Sequence, residues 1–111
     1  MSTKKLFVVE DDPGIQCIVE YILSNDNFSV FICSTVKKFK ELSLIDTPDL
    51  IILDVMLPDG NGVTLCTELK SSVATKNIPV LMMSANVSEA ELMRCQPDMF
   101  IAKPFDIHDF I

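Results

Sequence analysis

Asp54 ends the run Asp49-Leu50-Ile51-Ile52-Leu53-Asp54, in which four apolar residues lead to one acid. Two other segments share this form. Leu6-Phe7-Val8-Val9 leads into Glu10-Asp11-Asp12, and Met99-Phe100-Ile101-Ala102 leads into Lys103-Pro104. If these runs are parallel strands, several carboxylates and one ammonium converge on a single sheet edge. Carboxylates gathered so closely repel one another unless a cation offsets their charge. The chemistry this suggests is a bound metal ion and phosphoryl chemistry.

The elements that must position these residues follow from the apolar pattern. Residues 5–9 read as a first strand. Asp12-Pro13 then starts a helix, with the acid as N-cap and proline at the first position, where no backbone donor is lost. Ile15, Ile18, Val19, Ile22 and Leu23 repeat at helical spacing. A polar loop, 24–27, precedes a second strand from Phe28 to Cys33. Ser34 or Thr35 can cap a helix carrying Val36, Phe39 and Leu42. Thr47-Pro48 breaks the chain before a strand at 49–53. Met56 to Gly62 reads as a turn-rich loop in which Gly60 and Gly62 permit positive φ. A helix with Val63, Cys66, Leu69 and Val73 on its apolar stripe comes next. Ile78 to Met83 is another near-continuous apolar run. Ser88 caps a short helix, 99–102 is the fifth strand, and a last helix starts at Asp106.

Strand and helix therefore alternate five times. Continuous apolar strands indicate that both sheet faces are covered, and the alternation indicates parallel strands with right-handed crossovers. The expected fold is α/β, a doubly wound five-stranded parallel sheet of order 2-1-3-4-5. In such folds the site lies beyond the carboxyl ends of the strands, between the first and third. Those strands end at Glu10-Asp11 and Asp54, so motif and topology point to the same edge.

The chain has 111 residues, 49% hydrophobic and 23% charged, which suits one domain with its own core. We read residues 1–111 as that single domain. A net charge of −7 argues against direct nucleic-acid binding. The cysteines, Cys17, Cys33, Cys66 and Cys95, have no zinc-type spacing and read as small buried hydrophobes in a reducing compartment. No segment is long and apolar enough to span a bilayer, and a cytoplasmic location is expected.

These residues resemble the receiver domain of two-component response regulators, over essentially the whole chain. The resemblance is carried by Val8-Val9-Glu10-Asp11-Asp12-Pro13, Leu53-Asp54-Val55-Met56-Leu57-Pro58-Asp59-Gly60-Asn61-Gly62, Met83-Ser84-Ala85 and Lys103-Pro104-Phe105. Each piece alone is weak, whereas all four in order at the ends of strands one, three, four and five are highly specific. The resemblance implies the flavodoxin-like strand order. It makes Asp54 the phosphoacceptor and implies that Glu10, Asp11, Asp54 and the backbone carbonyl of Met56 hold Mg2+. Lys103 would contact a phosphoryl oxygen, and Ser84 would donate its hydroxyl to the phosphoryl group. Ser84 and Phe100 would form the switch that couples the site to the face made by helix four, strand five and helix five. Phe100 reads equally well as a plain core residue. Asp12 reads as the helix cap rather than as a ligand. The implied partners are a sensor histidine kinase or a histidine phosphotransfer protein, with no turnover enzyme activity beyond self-catalysed transfer and slow autodephosphorylation. A monomer or a weak homodimer through the helix four, strand five and helix five face is expected.

Two departures from the family pattern stand out. Gln96-Pro97-Asp98 replaces the Gly-Ala before strand five, and helix four should be short. Residues 106–111 are too few for a full helix five, so either the chain continues or pairing covers the apolar surface around strand five. Three other classes compete. A phosphohydrolase of the haloacid-dehalogenase type needs an acid two residues after its nucleophile, where this chain has Met56. A phosphate-independent pseudo-receiver usually lacks an acid or the lysine, all of which are present here. A flavodoxin-like redox domain wants a phosphate-binding loop after strand one, where Glu10-Asp11-Asp12 would repel a phosphate.

Overall fold

Alternate residues of each apolar strand leave the sheet on opposite sides, and this splits the core in two. In the computed structural model, residues 4–23, 28–84 and 97–102 are described, with Ile22, Ser84, Ile101 and Ala102 described through their backbone alone. The elements are β1 (Lys4–Val9), α1 (Pro13–Leu23), β2 (Phe28–Cys33), α2 (Val36–Ser43), β3 (Leu50–Asp54), β4 (Met56–Leu57), β5 (Gly60–Asn61), α3 (Gly62–Ser71), β6 (Val80–Ser84) and β7 (Met99–Ala102). Five of the strands form one parallel sheet in the order β2-β1-β3-β6-β7. This is the expected 2-1-3-4-5 order, interrupted in sequence only by the short β4–β5 ribbon.

Phe7, Val9, Ile51, Leu53, Val80 and Met82 face one side, where they pack with Phe39 of α2 and Leu65, Cys66 and Leu69 of α3. Leu6, Val8, Ile52, Leu81 and Met83 face the other, with Val19 of α1. Both faces are therefore covered, as the unbroken apolar runs require. The α1 stripe is only partly buried, since Ile18 is 40% exposed.

Capping follows the sequence closely. Asp12 Oδ1 accepts hydrogen bonds from Gly14 N at 2.8 Å and Ile15 N at 3.4 Å, so it is the α1 cap. Thr35, not Ser34, caps α2 by accepting from Lys38 N at 3.0 Å. Differences cluster after β3. The loop from Met56 contains the antiparallel β4–β5 ribbon. The α3 stripe includes Leu65 and ends at Ser71, leaving Val73 beyond the helix and 83% exposed. Cys33 and Cys66 are buried as expected, and burial pushes the Cys33 thiol up, but Cys17 is exposed. The expected helices after Ser88 and Asp106, the loop 24–27 and Cys95 lie outside the described residues.

The far end of the sheet is tied together by a contact that periodicity does not reveal. Lys70 Nζ, in the last turn of α3, donates to Asp98 Oδ2 at 2.6 Å and to the Ile78 carbonyl at 2.9 Å. Asp98 Oδ2 also accepts from Val80 N at 2.7 Å, while Asp98 N donates to the Val80 carbonyl. One carboxylate thus joins α3 to the starts of β6 and β7. Partial burial raises the Asp98 carboxyl, but the Lys70 ammonium and the Val80 amide outweigh that and hold it below its ordinary value. A depressed carboxylate stabilises the fold fully above its unfolded pKa of about 4. That contribution is lost as pH falls through the lower, folded value. Asp98→Ala is expected to cost about 1–3 kcal/mol at neutral pH, because it also strands the Val80 amide. Urea titrations at neutral and at acid pH should show the wild-type advantage shrinking on acidification.

Candidate functional site

The carboxyl ends of β1 and β3 lie side by side, with Val9 in register with Leu53. The next residues, Glu10 and Asp54, therefore emerge at the same level of the sheet. Glu10 is held there by its backbone. Its N–H donates to the Cys33 carbonyl at 3.0 Å, and its carbonyl accepts from Gln16 Nε2 of α1. Glu10 Oε2 accepts from Asp12 N at 3.2 Å. Glu10 is fully buried, Asp54 is 6% exposed and Asp11 is exposed.

Glu10, Asp11 and Asp54 each offer a carboxylate oxygen, and these oxygens all lie within 4.8 Å of one another. Mg2+ takes hard oxygen ligands at about 2.1 Å in an octahedron, so opposite ligand oxygens are about 4.2 Å apart. The donor set is all oxygen, its oxygens are gathered within 4.8 Å, and exposed Asp11 leaves it open to water. The residues present fit a divalent cation of the Mg2+ type.

Beyond Asp54 the chain turns sharply. Val55 N donates to the Met83 carbonyl at 3.2 Å, and Gly62 N donates back to the Val55 carbonyl at 2.6 Å. The Met56 side chain is 72% exposed, and its backbone opens the ribbon that pairs Met56 with Asn61 and Leu57 with Gly60. Asn61 Oδ1 accepts from Val63 N at 2.7 Å and caps α3. Neither Gly60 nor Gly62 needs positive φ. Gly62 is required for another reason: a Cβ there would sit 2.0 Å from the Asp54 carbonyl oxygen and 2.9 Å from Val55 Cα. α3 starts against the backbone that carries Asp54, and only a residue without a side chain allows that approach.

Of the expected site residues, the structure brings together Glu10, Asp11 and Asp54 and assigns Asp12 to the helix cap. Ser84 ends β6, one position past Asp54's register partner Met83, and pairs with Ala102. The Ser84 side chain and Lys103 lie outside the described residues. Phe100 is 37% exposed and in register with Met82, so it is not a fully buried core residue. Sequence reasoning missed Gly62 as a contact to Asp54. The adjacent Asn61, a cap-forming residue directly before an apolar stripe, was the available signal.

The family model of the response regulator receiver domain matches residues 6–111. The response regulator ArlR of Staphylococcus saprophyticus is 32% identical over 107 residues, covering 96% of this chain and 49% of that protein. The chain spans about half the length of the curated relatives it matches. Among solved structures, the phosphorylated cyanobacterial phytochrome response regulator RcpA superposes with a TM-score of 0.85 at 25% identity, covering 97% of this chain and 86% of that one. The receiver domain of a sensor histidine kinase from Pseudomonas aeruginosa, with a magnesium ion coordinated in its active-site cleft, shares the fold with a TM-score of 0.83 at 20% identity, covering 98% of this chain and 92% of that one. Among the described residues, no helix is long and apolar enough to cross a membrane.

Proposed function

This chain belongs to the response regulator receiver domain family, and on that premise we propose that Asp54 accepts a phosphoryl group with Mg2+ held by Glu10, Asp11, Asp54 and the Met56 carbonyl. The single observation that carries this reading is the convergence of three carboxylate oxygens within 4.8 Å, two of them on buried side chains.

In the proposed step an Asp54 carboxylate oxygen attacks the phosphorus of a phosphohistidine. The new O–P bond forms as the P–N bond breaks, and the imidazole nitrogen leaves with the bonding pair and takes up a proton. Burial leaves Asp54 a small open face, which limits the directions of approach. Glu10 and Asp11 would help hold the cation beside that carboxylate. Mg2+, when bound, offsets the repulsion among the carboxylates and the charge growing on the phosphoryl oxygens. Lys103, one residue past β7, is the proposed point charge for a phosphoryl oxygen, and Ser84 the proposed hydroxyl donor. Ser84 and Phe100, on adjacent strands, form the proposed switch toward partner binding.

Residues 1–111 then act as one receiver unit in the cytoplasm, served by a sensor histidine kinase or a histidine phosphotransfer protein. The domain acts by changing its partners, with self-catalysed transfer and slow autodephosphorylation as its own chemistry. Pairing, where it occurs, uses the face made by β7 and the helices expected after Ser88 and Asp106. Incubation with acetyl phosphate and Mg2+ is expected to add one phosphoryl mass by intact-protein mass spectrometry, and chelation of Mg2+ to prevent it. Equal labelling with and without Mg2+ would contradict the role of the carboxylate cluster.

A further inference from the structure

The turn of the β4–β5 ribbon is fastened to a helix other than the one it leads into. Asp59 Oδ1 accepts from Val36 N at 2.8 Å, and Asp59 Oδ2 accepts from Lys37 N at 3.0 Å. One carboxylate thus spans two first-turn amides of α2, groups that a helix leaves without internal partners. Such bonds are charge-assisted, and the negative charge is favoured at a helix N-terminus. Thr35 takes the next amide, Lys38 N, so its cap and Asp59 do not compete. The ribbon also approaches α2 closely at Gly60, where a Cβ would lie 3.0 Å from Val36 Cγ2. α2 is a firm anchor, because Phe39 is buried in the core among the sheet residues.

The other end of the ribbon is Met56, two residues past Asp54. Pairing of Met56 with Asn61 and of Leu57 with Gly60 makes the ribbon one unit. Its base is fixed by the Gly62–Val55 hydrogen bond, and its tip by Asp59. Without the tip contact the ribbon keeps its base and the packing of Leu57 against the core, and the Met56 backbone is held less tightly.

We propose that Asp59 is a positioning residue for the cation site, clamping the ribbon to α2 so that the Met56 backbone is held beside Glu10, Asp11 and Asp54. The inference rests on the reading of the Met56 carbonyl as a cation ligand. A purely structural cap would change stability alone, whereas a positioning residue changes cation affinity separately from stability.

The test is calorimetric titration of the full chain with Mg2+ alone, in high salt, where screening suppresses the long-range effect of removing a charge. Asp59→Ala is expected to weaken Mg2+ binding about tenfold or more, in the range seen when outer partners of metal ligands are removed. Asp59→Asn keeps one carbonyl acceptor and should recover part of the affinity. Lys70→Met, which cuts the tie at the opposite end of the sheet, should lower the urea midpoint and leave Mg2+ affinity at the wild-type value. Unchanged affinity in Asp59→Ala would overturn the proposal, as would parallel losses in Asp59→Ala and Lys70→Met. If Asp59→Ala does not fold, Asp59→Asn decides, and wild-type affinity there overturns the proposal. A wild-type protein that binds no Mg2+ removes the cation site itself. Wild-type binding with Asp59 variants unchanged removes only the role of Asp59.

Discussion

Gly62→Ala is expected to destabilise the domain by about 3–5 kcal/mol, a large share of the 5–15 kcal/mol typical of a whole domain. The added methyl would meet the Asp54 carbonyl oxygen at 2.0 Å, the Asp54 carbonyl carbon at 2.8 Å and Val55 Cα at 2.9 Å. All three are backbone atoms, so no rotamer change relieves the overlap. Either the start of α3 moves away from the end of β3 or the backbone of Asp54 itself shifts. Both break the hydrogen bond from Gly62 N to the Val55 carbonyl. Gly60→Ala is the matched control. Its methyl would meet Val36 Cγ2 at 3.0 Å and Val36 Cβ at 3.7 Å, side-chain atoms only, with no backbone overlap. Its cost should stay below about 1 kcal/mol. Equilibrium urea unfolding of the two variants checks this. Similar midpoints for both would show that the approach of α3 to Asp54 is not as tight as described.

Asp54→Asn is expected to raise the stability of the metal-free protein and to reduce the stabilisation by Mg2+. Two unit charges at the 4.8 Å limit of this cluster repel by roughly 3.5 kcal/mol at an effective dielectric of 20, and closer charges repel more. Glu10 and Asp54 are both buried, so solvent screens their interaction only in part, and Asp11 adds to it. Neutralising Asp54 should return about 1–2 kcal/mol of this as stability without metal. In the wild type, binding of Mg2+ to the native state alone adds RT ln(1 + [Mg2+]/Kd), about 2.7 kcal/mol at a hundred times Kd. The variant lacks one of the proposed cation ligands and should gain less. Thermal unfolding with and without millimolar Mg2+ reads both effects. A metal-free variant less stable than wild type would mean that the carboxylates are not in net repulsion.

The sheet was legible because its strands are buried on both faces. Leu6 to Val9, Ile51 to Leu53 and Val80 to Met83 are apolar at every position, and strands of that kind follow from few rules. The acids at their ends were legible for the same reason, since a buried run that stops at a carboxylate marks an edge. What was not legible depends on contacts between distant segments. Asp59 reads as a turn residue until α2 is placed beside it, and Asp98 reads as a departure until Lys70 reaches it. Gly62 reads as a residue of positive φ, a local property, whereas its constraint is the backbone of Asp54 across the turn. Val73 fits the α3 stripe by spacing, yet α3 ends two residues earlier and leaves it exposed. Periodicity reports faces, and helix ends are set by caps and neighbours.

On the proposed reading, Asp54 is the group that carries the phosphoryl. Its most direct test is intact mass and peptide mapping after acetyl phosphate and Mg2+, with borohydride reduction converting an aspartyl phosphate to homoserine at the modified position. One added phosphoryl and one homoserine at position 54, both absent in Asp54→Asn, is the expected result. A phosphoryl group that persists in Asp54→Asn, or homoserine at Asp11 in the wild type, would contradict it.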